Sequence, residues 1–267
     1  MSRYLLGSDQ KELLRLEKQH QLWADEARAL WKRAGFGKNK KVLDMGCGPG
    51  FAAIELAKIM GSSGRVVAAD ISKPYIDYLN DAIKKQCIDN IQTICSDIHE
   101  ISVEPSYFDG AYCRFFLIFF NQPEKIIQKV HSVLKPGGVW AMTDFANYDM
   151  SISPRKKSID KIMYGVQECF RKHGGDLSIQ MEMPKLLGKN GFEVKEIKPV
   201  VKVARPNTDL WSWDALFIEN FSKELIKSQC VTEAEVGQFW VDWKAISKDP
   251  NAFFITPTLL DIIAIKK

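Results

Sequence analysis

The chain has little charge of one sign. Its 37 Lys and Arg stand against 33 Asp and Glu, a net charge of +4, too mild to draw a nucleic-acid partner. None of its six cysteines (Cys47, Cys87, Cys95, Cys113, Cys169 and Cys230) form a C-x-x-C pair or a framework spacing. That excludes a disulfide scaffold and predicts a reducing compartment, with most of the thiols buried as small apolar groups. No metal site is expected. Long apolar runs are missing as well. The longest near the middle is Phe115–Phe120, far short of the roughly 20 residues a membrane span needs. The opening MSRYLLGSDQKE turns polar after two leucines, which predicts no secretory leader. There is no internal repeat and no low-complexity tract. A hydrophobic fraction of 46% suits a packed core, so the expectation is a soluble, cytoplasmic globular protein.

What is present begins with a long helix over residues 9–34, with Ser8 as its expected N-cap and Asp9 in its first turn. Leu13, Leu16, His20, Trp23, Ala27, Leu30 and Ala34 recur on one stripe of it. From Lys40 the pattern changes to short apolar strands alternating with helical segments. The strands are VLDMG (42–46), RVVAAD (65–70), IQTICS (91–96), FDGAYCRFF (108–116) and VWAMTDF (139–145), the last fed by a Lys-Pro-Gly-Gly turn. Ser72 is placed to cap one helix, and Asn121 with Glu124 another. This alternation predicts an α/β fold with a doubly wound, mostly parallel sheet covered by helices on both faces. Further on, 155–173 and 177–192 read as helices, 193–201 as a strand, and 207–248 as helices holding four of the seven tryptophans. FFITPTLLDIIAIKK (253–267) reads as one closing strand.

The stretch KVLDMGCGPGFAAIELA (41–57) runs strand, glycine turn, helix start. Glycines let a backbone approach a ligand closely, and a helix N-terminus offers unpaired N–H groups. Asp70 ends the next strand about twenty residues on, where an acid can accept hydrogen bonds from a ribose. The ligand therefore contains a nucleoside. Asp44, two residues before the turn, separates the choices. A dinucleotide would lay its pyrophosphate over the loop, and Asp44 would repel it. S-adenosylmethionine would bring a sulfonium and an ammonium, which Asp44 would offset.

These motifs resemble those of the class I S-adenosylmethionine-dependent methyltransferases. VLDMGCGPG is similar to their first motif, AAD (68–70) to the second-strand acid, and CSDIHEI (95–101) to the segment meeting adenine. FDGAYCRFFLIFF and LKPGGVWAMTD resemble the segments around strands four and five. The resemblance is strongest to small-molecule enzymes of the ubiquinone/menaquinone-biosynthesis type. YLLGSDQKELLRLEKQHQLW is similar to the leading segment of a bacterial subgroup. The resemblance implies a Rossmann-like seven-stranded sheet that binds S-adenosylmethionine and releases S-adenosylhomocysteine. By position, Gly46, Cys47, Gly48 and Gly50 would shape the loop around the methionine part. Asp70 would hold the ribose with Ile71 beside the adenine, and Asp97 the adenine amino group with Ile98 next to it. Arg114 would offer its carbonyl to the ammonium, and Tyr4 would fold over as a lid.

The implied division is an N-terminal helical lid segment (1–37), a cofactor-binding core (38–206), a helical insertion (207–250) and a final core strand (251–267). The insertion either buries its own apolar faces or closes over the substrate mouth with Trp211, Trp213 or Phe217. His20, Asp144, Tyr148 and Trp211 are the candidates for substrate contact. His20 reads either as a core histidine or as a residue facing the cleft, and Cys47 as a small loop residue whose helix-end setting could lower its pKa. The Asn-Pro-Pro-Tyr pattern of exocyclic-amine methylation is absent after strand four, where CRFF stands. The expectation is methyl transfer to a small, partly aromatic or apolar molecule by in-line displacement, with a homodimer left open. The alternatives are an RNA or protein substrate, a cofactor-binding protein without turnover, and, last, an NAD enzyme.

Overall fold

The computed structural model describes Leu6, Gly7 and residues 9–267. The first helix, α1 (Gln10–Arg33), starts one residue later than expected: Asp9, not Ser8, is its N-cap, and the Asp9 carboxylate accepts from the Glu12 N–H. Alternation then follows as β1 (Lys41–Met45), α2 (Phe51–Met60), β2 (Arg65–Asp70), α3 (Lys73–Lys85), β3 (Ile91–Cys95), β4 (Phe108–Arg114), α4 (Glu124–Val133) and β5 (Leu134–Asn147). Pro123, not Asn121, stands at the N-cap of α4, and Ser72 caps α3 by position without a side-chain hydrogen bond. Residues 135–138 bulge from β5, because Phe108 pairs with Leu134 while Gly110 pairs with Val139.

The remainder comprises β6 (Ser151–Ser153), α5 (Lys157–Lys172), α6 (Met183–Lys189), β7 (Phe192–Val200), β8 (Val203–Ala204), α7 (Asp209–Lys227), α8 (Glu233–Ile246), β9 (Phe253–Ile255) and β10 (Thr258–Lys266). The main sheet has seven strands in the order β3-β2-β1-β4-β5-β10-β7, and β10 runs antiparallel to both neighbours. The expected single closing strand is two. Residues 253–255 pair with β6 and β8 in a separate three-stranded sheet, and only 258–266 enter the main one. Thr256 and Pro257 separate them; a proline has no N–H to give a central ladder.

The strand order reverses between β1 and β4, so a crevice opens beyond their carboxyl ends. The strands around it, rich in Val, Ile and Ala, are buried on both faces, as a helix-covered parallel sheet requires. The insertion is not a separate body. Its buried residues Trp213, Ile218, Phe239 and Trp243 join the cluster of Leu43, Met142 and Phe145. α7 is also tied to α1 by polar contacts. Lys18 donates to Ser212 at 2.7 Å, Trp213 to Gln19 at 3.2 Å, and Asn220 to Glu12 at 3.2 Å.

Candidate active site

A cavity of about 450 Å³ occupies the crevice, walled by the loop after β1, the ends of β2 and β4, α1 and α7. The loop is shaped by its glycines. Gly46 has φ of +64°, and a Cβ there would overlap the Phe116 ring, so only glycine fits. Gly48 turns its N–H to Asp70 Oδ2 at 2.8 Å, while Asp70 Oδ1 accepts from the Ser72 N–H at 2.8 Å. Asp70 thus fastens the loop to the start of α3 and still faces the cavity. Burial raises its pKa, and the backbone N–H groups of Ser72 and Gly48 oppose that rise.

Asp44 sits on the central strand, between Ala68 of β2 and Tyr112 of β4. It is 1% exposed, lines the cavity, and its Oδ2 has no hydrogen-bond partner among the described residues. Burial lifts its pKa to about 8, eased by the Arg114 cation and reinforced by the Asp70 charge. An orphaned carboxylate beside a glycine loop fits a cationic ligand group and disfavours a phosphate. Cys47 lines the same loop, and burial, then Asp44 and Asp70, push its thiol well up, which suits a small loop residue and not the lowered pKa that its helix-end setting could have given. Helix N–H groups do not outweigh two nearby carboxylates in a dry site.

Gly46, Cys47, Gly48, Asp70, Ile71, Asp97, Ile98 and Arg114 all line the cavity. Gly50 does not; it is the N-cap of α2, and its place lies against Leu79. Tyr4 lies outside the described residues. Arg114 donates to the Trp23 carbonyl at 3.1 Å and to His20 Nδ1 at 2.9 Å. A guanidinium only donates, so Nδ1 accepts and Nε2–H donates to Glu55 at 3.0 Å. His20 reaches the cavity wall with both ring nitrogens engaged, and burial with the Arg114 charge lowers its pKa. Its place is that of a neutral tie between α1 and the sheet, rather than a free substrate contact.

Of the other expected substrate contacts, only Tyr148 lines the cavity. Asp144 is fully buried behind it, accepting from the N–H groups of Phe116 at 2.9 Å and Leu117 at 2.8 Å. It holds the turn after β4 rather than a ligand. Trp211 packs on Trp243 and Phe254 and donates to Ser247 at 2.9 Å, inside the insertion. At roughly 100° per residue it lies about 200° around α7 from Trp213, which does line the cavity. Trp213, Asp214 and Phe217 form that lining face. Asp214 and the ring wall of Phe115, Phe145 and Phe170 were missed by sequence reasoning. The acid in TDLWSWDALF, amid aromatics on one helical face, was the available signal for the first. Among the described residues, no three His, Cys, Asp or Glu gather as a metal site. No helix there is long and apolar enough to cross a membrane.

Comparison with known proteins agrees with this geometry. A family model described as "Methyltransferase domain" matches residues 36–202. The ubiquinone/menaquinone biosynthesis C-methyltransferase UbiE of Francisella philomiragia is 28% identical over 128 residues, 48% of this chain and 50% of that protein. The chain thus matches about half the length of this relative. Among solved structures, the YcgJ protein of Bacillus subtilis aligns with a TM-score of 0.63 at 15% identity, covering 91% of this chain and 99% of that one. A SAM dependent methyltransferase from Aquifex aeolicus aligns with a TM-score of 0.56 at 19% identity, covering 72% and 92%. Those two likenesses concern the fold alone. With its strand order, its glycine loop and the family match over more than half its length, the chain belongs to the methyltransferase domain family, among the class I S-adenosylmethionine-dependent methyltransferases.

Proposed function

We propose that this protein transfers the methyl group of S-adenosylmethionine to a small, largely apolar acceptor. The observation that carries the reading is Asp44, a buried carboxyl whose Oδ2 has no hydrogen-bond partner among the described residues, facing the cavity beside a glycine loop. In this reading Gly46, Cys47 and Gly48 surround the methionine part and Asp44 offsets its positive charge. Asp70 accepts from the ribose hydroxyls, Ile71 and Ile98 flank the adenine, and Asp97 accepts from its amino group. The Arg114 carbonyl receives the ammonium. The cofactor supplies a methyl carbon already activated by sulfonium. The chain's own contribution is alignment of the acceptor and exclusion of water. The rings of Phe115, Phe145, Tyr148 and Phe217 wall the acceptor end, which supports an acceptor with an aromatic or branched apolar body. The weak net charge supports a small molecule over RNA.

Calorimetry with S-adenosylmethionine, S-adenosylhomocysteine and NAD tests the reading. It expects both sulfur ligands to bind and NAD not to bind. Tight NAD binding with no response to either sulfur ligand overturns it. Release of S-adenosylhomocysteine against a metabolite panel then separates an enzyme from a protein that merely holds the cofactor.

A further inference from the structure

Among the described residues five acidic side chains are buried: Glu12, Asp44, Asp144, Asp214 and Asp261. Three are satisfied within the protein. Glu12 holds Arg15, Asp144 accepts from backbone N–H groups, and Asp261 accepts from Thr143 and Arg33. The other two, Asp44 and Asp214, each keep an oxygen with no partner among the described residues, and both line the cavity. Asp44 belongs to the loop end. Asp214, 2% exposed on α7, belongs to the aromatic end.

The rings near Asp214 form a continuous wall. Phe115 meets Phe145 at 5.4 Å, Phe145 meets Tyr148 at 4.9 Å edge-on, and Tyr148 meets Phe217 at 6.3 Å. A carboxylate and aromatic rings lining one cavity are the combination that recognises an organic ammonium, by ion pairing and by cation–π attraction together. A neutral acceptor would offer no charge to pair with, and the desolvated carboxyl would favour its protonated form. Arg15 also lines the cavity, but both Glu12 oxygens hold its guanidinium, at 2.8 and 2.7 Å, so its charge is already offset.

We propose that Asp214 is the acceptor-side counter-ion, and that the methyl acceptor is an amine on an aromatic or branched apolar body, its ammonium paired with Asp214. This rests on the methyltransferase reading. A protonated nitrogen has no lone pair to offer. One proton passes from the ammonium to the carboxylate, leaving a neutral amine and a carboxylic acid, with no further reactant. Burial alone lifts the Asp214 pKa to about 7, where a carboxyl can both take and return a proton near neutrality.

The test is calorimetry of benzylamine, benzyl alcohol and p-cresol against the full chain, with and without saturating S-adenosylhomocysteine. Benzylamine should bind at least tenfold more tightly than the other two. Asp214→Asn should abolish that advantage while S-adenosylhomocysteine still binds. In the native chain the affinity for benzylamine should climb as pH rises through about 7, when Asp214 ionises and the amine stays charged. The other charged or titratable groups around that arm are Arg15 with Glu12 on α1, Tyr148 after β5 and His173 at the end of α5. Equal or undetectable binding of the three probes, a preference for the phenol, or an amine preference that survives Asp214→Asn overturns the inference. Should the variant not fold, the native chain's probe preference and pH profile still decide. Failure to bind S-adenosylhomocysteine would instead strike the methyltransferase reading.

Discussion

Arg114, ending the fourth strand, donates from Nη2 to Nδ1 of His20 on the first helix, 2.9 Å away. This contact fixes which histidine nitrogen carries the proton and pins α1 over the cavity. Replacing His20 by Ala leaves the Arg114 and Glu55 side chains short of a buried partner. The expected loss is about 1–3 kcal/mol of unfolding free energy, read by chemical denaturation. The pH dependence has a definite sign. Burial and Arg114 depress the His20 pKa below 6.5. Its share of stability is therefore present above 6.5 and lost as pH falls, because the unfolded chain takes up a proton the folded one refuses. His20→Gln should flatten that acid-side slope.

Asp44 should couple cofactor binding to proton release. Its pKa, lifted from 3.8 to about 8, means the folded protein holds a proton that the unfolded chain has shed above 3.8. That contribution to stability is complete below 3.8 and lost as pH rises through about 8. A cationic ligand favours the ionised form, so S-adenosylmethionine affinity should increase with pH and level off near 8. Calorimetry in two buffers of different ionisation enthalpy reads the released proton. Asp44→Asn should leave only the cofactor's own titration.

Asp70→Ala should weaken cofactor affinity by about 1.5–3 kcal/mol, the scale of lost charge-assisted hydrogen bonds. The variant also frees the Gly48 and Ser72 N–H groups that Asp70 now receives. Unchanged affinity would mean the ribose sits elsewhere.

Trp211→Ala should act on stability and spare the site. The side chain fills the interior of the insertion against Trp243 and Phe254. Removing it should cost about 3–5 kcal/mol. Cofactor affinity of the folded fraction, measured well below the melting temperature, should match the native chain. A specific loss of cofactor affinity in a stable variant would return Trp211 to the cavity.

Periodicity, glycines and acid spacing were enough to read the alternating strands and helices, the loop at 46–50 and the acids at 44 and 70. These are local signals: a strand's apolar run and a turn's glycine need no knowledge of what lies across the sheet. The break at Thr256-Pro257 was visible as a proline and still missed, because the residues on either side continue the same apolar pattern.

Which side chains share a cavity was a different matter. Asp144 and Asp214 are both acids next to aromatic residues in the sequence, and both are buried. One turns to the backbone after β4 and is satisfied; the other is carried by α7 to the aromatic-lined cavity, where its Oδ2 has no partner among the described residues. Trp211 and Trp213, two residues apart, lie on opposite sides of one helix, and only the placement of α7 against α1 says which side is the pocket. The sequence by itself determined the strands, the loop and the class of cofactor, because those rest on neighbours along the chain. The tertiary structure alone decided which buried charges stay uncompensated, because a carboxylate's partners come from elements far apart in sequence.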